Sequence, residues 1–136
     1  MLLSNSFVTV PTMTARSSCS NLLVRDASKP SGTISASSGS STYSSNMDCR
    51  WNLTSNGVIE LLFYHFATES SADYVRVYDG DSTSAPLIGR FSGSSLPAPI
   101  TSSSTKLYVR FTSDSSLEHR GFTARYRGIF IRRQDE

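Results

Sequence analysis

Cysteine is scarce in this chain of 136 residues: Cys19 and Cys49 are the whole supply, and His65 and His119 are the only histidines. Two cysteines and two histidines without ligand spacing do not make a structural zinc site. Charge is sparse as well, at 18% of residues with a formal net charge of +2, so nothing at this level points to nucleic acid, which calls for a concentrated basic stripe. No apolar run approaches the roughly 18 residues of a membrane-spanning helix, which excludes a transmembrane helical segment. Helical periodicity is missing throughout. So are a nucleophile elbow, an activating-base pattern and a phosphate-cradling loop, and the chain therefore reads as non-catalytic. His65, inside an apolar run, reads as a packed residue and His119 as a loop residue rather than as bases.

What is present suggests an oxidising compartment. One disulfide between Cys19 and Cys49 is the better reading of a lone pair, with two buried thiols as the alternative. Asn52-Leu53-Thr54 is an N-glycosylation sequon and points the same way, to a secreted or extracellular protein. Met1 to Val10 lacks a basic leading region and makes a poor signal peptide, so the expectation is a portion of a longer secreted protein. Residues 1–18 are rich in Ser and Thr and read as a flexible arm or linker, and 129–136 as a tail.

Between those ends the pattern is that of strands. Cys49, Trp51 and Leu53 alternate with polar residues, as do Leu107, Val109 and Phe111, and Phe122, Ala124 and Tyr126. Val75 and Val77 point one way, and Tyr74, Arg76 and Tyr78 the other. Val58 to Phe66 is apolar at nearly every position. Its β-branched and aromatic content favours a strand over a buried helix, and one covered on both faces. Asn56-Gly57 just before it is a hairpin signal. Pro86 to Phe91 predicts a short strand, and Leu96 to Ile100 is too rich in proline for a central one. Many short strands separated by turns predict an all-β, antiparallel sandwich.

The chemistry concentrates where two of these strands meet. Glu69 and Asp73 lie in the short connection between the Val58–Phe66 and Tyr74–Tyr78 runs, and Asp114 follows Phe111 just past another strand. Loops at strand ends are where β scaffolds carry their binding groups. Three carboxylates there are hard oxygen donors of the kind Ca²⁺ takes, although surface loops also favour Asp and Glu without any ion. Asp79 and Asp81 read as turn residues.

In order and spacing, several segments together resemble a CUB domain, an extracellular β-sandwich of jelly-roll type. They are Ser31 to Ile34, Tyr43 to Asn46 before Cys49-Arg-Trp51, the Ile59/Leu61/Phe63/Phe66 run, Asp73 to Gly80, Phe91-Ser-Gly93, Phe111 to Asp114 and Gly121 to Tyr126. The resemblance assigns 19–128 to the domain. It implies a calcium-binding type, with Glu69, Asp73 and Asp114 as ligands and the Ser116 carbonyl as a backbone donor. It also implies docking of an extracellular protein ligand that presents Lys or Arg to Glu69 and Asp114. Carbohydrate stacked on the Tyr74/Tyr78 face and a purely structural spacer are the competing readings.

The sequence departs from the family pattern in two ways. Ile88 stands where a second-pair cysteine is expected and the Glu69–Asp73 loop is short and lacks the other, which makes a two-cysteine variant. Ser35 to Ser41 replaces a Ser-Pro-Asn-Tyr-Pro stretch, which implies loss of a tyrosine that supports the metal site.

Overall fold

The computed structural model describes residues 31–36, 42–43, 45–115 and 119–129. Cys19, Ser116, the arm 1–18 and residues 130–136 lie outside the described residues. Eight strands run in chain order: β1 (Ser31–Ser35), β2 (Asp48–Thr54), β3 (Val58–Ala67), β4 (Tyr74–Tyr78), β5 (Leu87–Phe91), β6 (Ile100–Thr101), β7 (Lys106–Thr112) and β8 (Gly121–Ile129). They form two four-stranded sheets, ordered β1-β8-β3-β6 and β2-β7-β4-β5. Every strand pairing is antiparallel, and no helix occurs among the described residues. The expected antiparallel sandwich is the fold.

The alternating residues face inward as their period demands. Cys49, Trp51 and Leu53 of β2, Val75 and Val77 of β4, and Leu107, Val109 and Phe111 of β7 are fully buried from one sheet. Ile59, Leu61 and Phe63 of β3, with Phe122, Ala124 and Tyr126 of β8, meet them from the other. Phe122 lies at the centre, with ring centroids 5.6 Å from Trp51, 5.7 Å from Phe63 and 5.9 Å from Phe111. Each such side chain contributes about 1.5–3 kcal/mol by leaving water, which makes this layer the main source of stability.

Two sequence expectations need correcting. Asn56-Gly57 does not close a hairpin, because among the described residues β2 pairs with β7 and β3 with β6 and β8, not with each other. The segment crosses from one sheet to the other, neither residue has positive φ, and the Ser55 hydroxyl accepts the Gly57 N–H at 3.0 Å. Nor is β3 covered on both sides: Tyr64 on its outer face is 56% exposed. Here β3 carries a bulge between Phe63 and His65. The extra residue resets the alternation so that Phe66, rather than His65, returns to the core. The proline-rich stretch behaves as expected, leaving only the two-residue edge strand β6.

Candidate metal centre

At one end of the sandwich, the β3–β4 connection and the segment after β7 come together. The β3–β4 connection is a single tight turn. The Glu69 carbonyl accepts the N–H groups of Ala72 at 3.3 Å and Asp73 at 3.0 Å, and Ser71 takes φ 62° to complete the reversal. Thr68, buried beneath the turn, braces it from inside. Its hydroxyl donates to the Asp73 carbonyl and accepts the Gly93 N–H, both at 3.0 Å, while its own N–H donates to the Gly93 carbonyl at 2.9 Å. Gly93 sits at φ 90°, where a side chain is strained, and this accounts for the glycine of Phe91-Ser-Gly93.

The short loop thereby aims its two carboxylates at a third. One oxygen from each of Glu69, Asp73 and Asp114 lies within 4.8 Å of the others. Asp73 is fully buried. Its Oδ1 accepts the Asp114 N–H at 2.9 Å and its Oδ2 accepts the Tyr43 hydroxyl at 2.5 Å, so it ties both loops together. Asp114 is exposed, and its carbonyl is held by the Asn46 N–H at 2.8 Å. Glu69 is half-buried, and its Oε1 is shut off from solvent without any hydrogen-bond partner. The Glu69 carboxyl is held above its ordinary pKa, first by lost solvation, then by the Asp114 and Asp73 carboxylates, with His119 pulling weakly the other way.

Tyrosine support, expected to be lost with the Ser35 to Ser41 replacement, comes from Tyr43. Tyr43, 2% exposed, donates to Asp73 and accepts the Glu69 N–H at 3.1 Å. Its own N–H donates to the His119 carbonyl at 3.1 Å, and its ring packs edge-on against Phe111 at 4.9 Å. Burial, and then the bond to Asp73, raise the phenol's pKa well above the usual tyrosine range, so it stays a donor. Replacement of the family stretch by Ser35 to Ser41 therefore does not remove tyrosine support. The signal was available in Tyr43 to Asn46, a segment that matched the family in order. His119 contributes its carbonyl here.

The other predicted residues fall elsewhere. Ser116 lies outside the described residues. Tyr74 carries the guanidinium groups of Arg76 and Arg90 over its ring, at 5.0 and 4.7 Å from the centroid, and Tyr78 is only 8% exposed against Tyr108. Asp79 accepts the N–H of Ser103, in the β6–β7 connection, at 2.8 Å, and Asp81 is exposed. Asn52 stands on the outer face of β2 opposite Tyr108, with its Oδ1 buried and unpartnered. Cys49 is fully buried, and its proposed partner Cys19 is outside the described residues.

The donor set fits a hard divalent cation. Each Asp73 oxygen has a second lone pair beyond the hydrogen bond it accepts, and Glu69 Oε1 has both. An isolated buried carboxylate oxygen carries a desolvation cost that a cation in contact with it removes.

Comparison with known proteins agrees with this architecture. A family model described as CUB domain matches residues 19–126. Cubilin from Sus scrofa is 47% identical over 93 residues, covering 62% of this chain and 3% of that protein. Tolloid-like protein 1 from Homo sapiens is 34% identical over 101 residues, covering 70% of this chain and 10% of its own length. The chain thus spans a small fraction of the relatives it matches. Among solved structures, the MASP-1 CUB2 domain bound to Ca²⁺ superposes with TM-score 0.67 at 26% identity, covering 81% of this chain and all of that one. The CUB1-EGF-CUB2 domain of human MASP-1/3 gives 0.68 at 25% identity, over 82% of this chain and 43% of the other.

Proposed function

The chain belongs to the CUB domain family, and from that premise we propose that it is a non-catalytic extracellular module that binds Ca²⁺ through Glu69, Asp73 and Asp114. The observation that carries this reading is the convergence of the three carboxylates within 4.8 Å, with one buried oxygen of Glu69 left unpartnered. The ion, when bound, supplies positive charge that relieves the mutual repulsion of the three groups. The chain's own residues do the rest. Asp73 anchors the centre from inside the fold, Tyr43 holds Asp73 and the Glu69 backbone in register, and Asp114 and Glu69 remain at the rim.

Once ordered, Glu69 and Asp114 present oxygens to a Lys or Arg of a protein ligand, while Asp73 is too deep to do so. Binding of such a ligand is weakened by salt, since attraction between exposed charges is screened. It is abolished by chelator or by Asp114→Ala, and unaffected by Asp81→Ala. A ligand whose binding withstands both chelator and Asp114→Ala docks elsewhere. The Cys19–Cys49 bridge and a glycan on Asn52 belong to the same extracellular reading. The bridge closes a loop of about 30 residues, worth about 3–4 kcal/mol in the chain-entropy model.

Calorimetric titration with calcium, paired with melts in calcium and in chelator, tests the proposal. Extracellular sites bind with Kd of roughly 10⁻⁴–10⁻³ M. At about 10 mM calcium, mass action then adds about 1.4–2.7 kcal/mol, a rise of several degrees for a domain of this size. No binding heat and no shift under those conditions overturn the calcium reading and leave a structural spacer.

A further inference from the structure

The outer face of the sheet β2-β7-β4-β5 carries a row of four arginines that the calcium reading does not use. Arg50 of β2 lies opposite Arg110 of β7, Arg110 opposite Arg76 of β4, and Arg76 opposite Arg90 of β5. The row crosses the whole sheet at one level. Neighbouring strands are about 4.8 Å apart, so it spans about 14 Å from end to end. These four strands hold five cationic residues and a single carboxylate, Asp48.

Like charges placed directly opposite on neighbouring strands destabilise a sheet, and here three such pairs follow one another. The relief within the fold is partial and one-sided. Asp48 Oδ2 pairs with Arg50 at 2.9 Å and with Arg110 at 3.0 Å, which covers one half of the row. Arg76 and Arg90 take part in none of the ion pairs among the described residues. Instead both guanidinium groups lie over the Tyr74 ring, which orients them without neutralising them. The opposite sheet is less crowded with cations, since Arg125 and Arg127 are the arginines of its four strands. There Arg127 is paired with Glu60 at 2.7 Å, and Arg125 donates to the Tyr64 hydroxyl.

We propose that this arginine row is a second binding site, independent of calcium, for a linear sulfated polysaccharide. The chemistry favours that class. A straight row of planar, permanently charged forks at regular spacing suits repeated oxyanion groups along one chain. Nucleic acid without base pairing needs open aromatic faces for stacking, and the Tyr74 ring is already covered by guanidinium.

The test is binding of the calcium-loaded chain to heparin, read by calorimetry across a series of salt concentrations. Arg76→Gln/Arg90→Gln is compared with Arg125→Gln/Arg127→Gln on the opposite sheet, which removes the same net charge. The expected result is salt-dependent binding by the unaltered chain. The Arg76/Arg90 variant loses about ten-fold or more, with a salt slope reduced by about two, and the Arg125/Arg127 variant changes less than about three-fold. Chelator and Asp114→Ala leave heparin affinity unchanged, which separates this site from the calcium centre. Should the double variant fail to retain its melting transition, Arg90→Gln at an exposed position serves alone, with a proportionally smaller loss expected. Four results overturn the proposal: no heparin binding at low salt, equal losses in both double variants, equal binding of desulfated heparin, or tighter binding of a single-stranded oligonucleotide or an anionic phospholipid vesicle than of heparin.

Discussion

Two like-charge clusters lie close together on this molecule and manage their repulsion by opposite means. The acidic centre converges: three carboxylates approach a common point, one fully buried, with the Tyr43 hydroxyl and the Asp114 N–H donating to the Asp73 carboxylate. The arginine row diverges: four guanidinium groups are spread along a line, and one carboxylate bridges two of them. Charge that converges in a partly desolvated place needs a compact counter-ion. Charge spread over an exposed face is tolerated by water and suits an extended partner. The contrast shows that net charge, here only +2, says little about where a domain binds ions.

Substitutions that remove one side of this comparison have graded effects. The largest is expected from Asp73→Ala, which takes away a proposed metal ligand and the acceptor of the Tyr43 hydroxyl and Asp114 N–H. Calcium binding disappears, and the chain loses about 2–4 kcal/mol even in chelator, measured by denaturant unfolding. Asp114→Ala separates the two roles, because Asp114 is exposed: calcium affinity falls by about ten-fold or more, while stability in chelator stays within about 0.5 kcal/mol. Equal destabilisation by the two variants contradicts the assignment of Asp73 as the structural centre.

Tyr43→Phe keeps the ring on Phe111 and removes only the hydroxyl. It costs about 1–2 kcal/mol and weakens calcium binding without abolishing it, a split that calorimetry and melting resolve together.

The smallest effect lies in the arginine row and depends on pH. Hydrogen bonds from Arg110 and then Arg50 hold the Asp48 carboxyl well below the usual carboxylate range. A folded-state pKa below the unfolded one gives stability that is present above the ordinary aspartate value near 4, and it is lost as pH falls from there towards the depressed value. With Asp48 a third exposed, screening limits the contribution to about 1 kcal/mol. Asp48→Asn therefore lowers the melting temperature by a few degrees at pH 7, and the difference narrows as the pH approaches 2. A difference that stays constant across that range rules out the ionised carboxylate as its source.

Local rules made much of the fold legible. Period-two alternation sorted inner from outer residues in β2, β4, β7 and β8, because a strand's facing is set by its own backbone. The bulge in β3 was not legible, since whether Phe66 or His65 turns inward is decided by packing. Asn56-Gly57 misled because its preference for turning does not say which sheet the next strand joins. At the acidic centre, Glu69, Asp73 and Asp114 were visible as carboxylates in loops at strand ends, and Tyr43 was visible only as part of a matching segment. Its role depends on reaching across 30 residues of chain to Asp73.

By itself, the sequence determined an antiparallel β-sandwich, the faces of most of its strands and the loops holding its carboxylates, all of which follow from short-range periodicity and turn chemistry. Only the tertiary structure decided that Glu69, Asp73 and Asp114 meet, that Tyr43 braces them, and that Arg50, Arg110, Arg76 and Arg90 form one row. These residues belong to different strands and loops, and strand order and register, which pack the core, bring their charges to the same place.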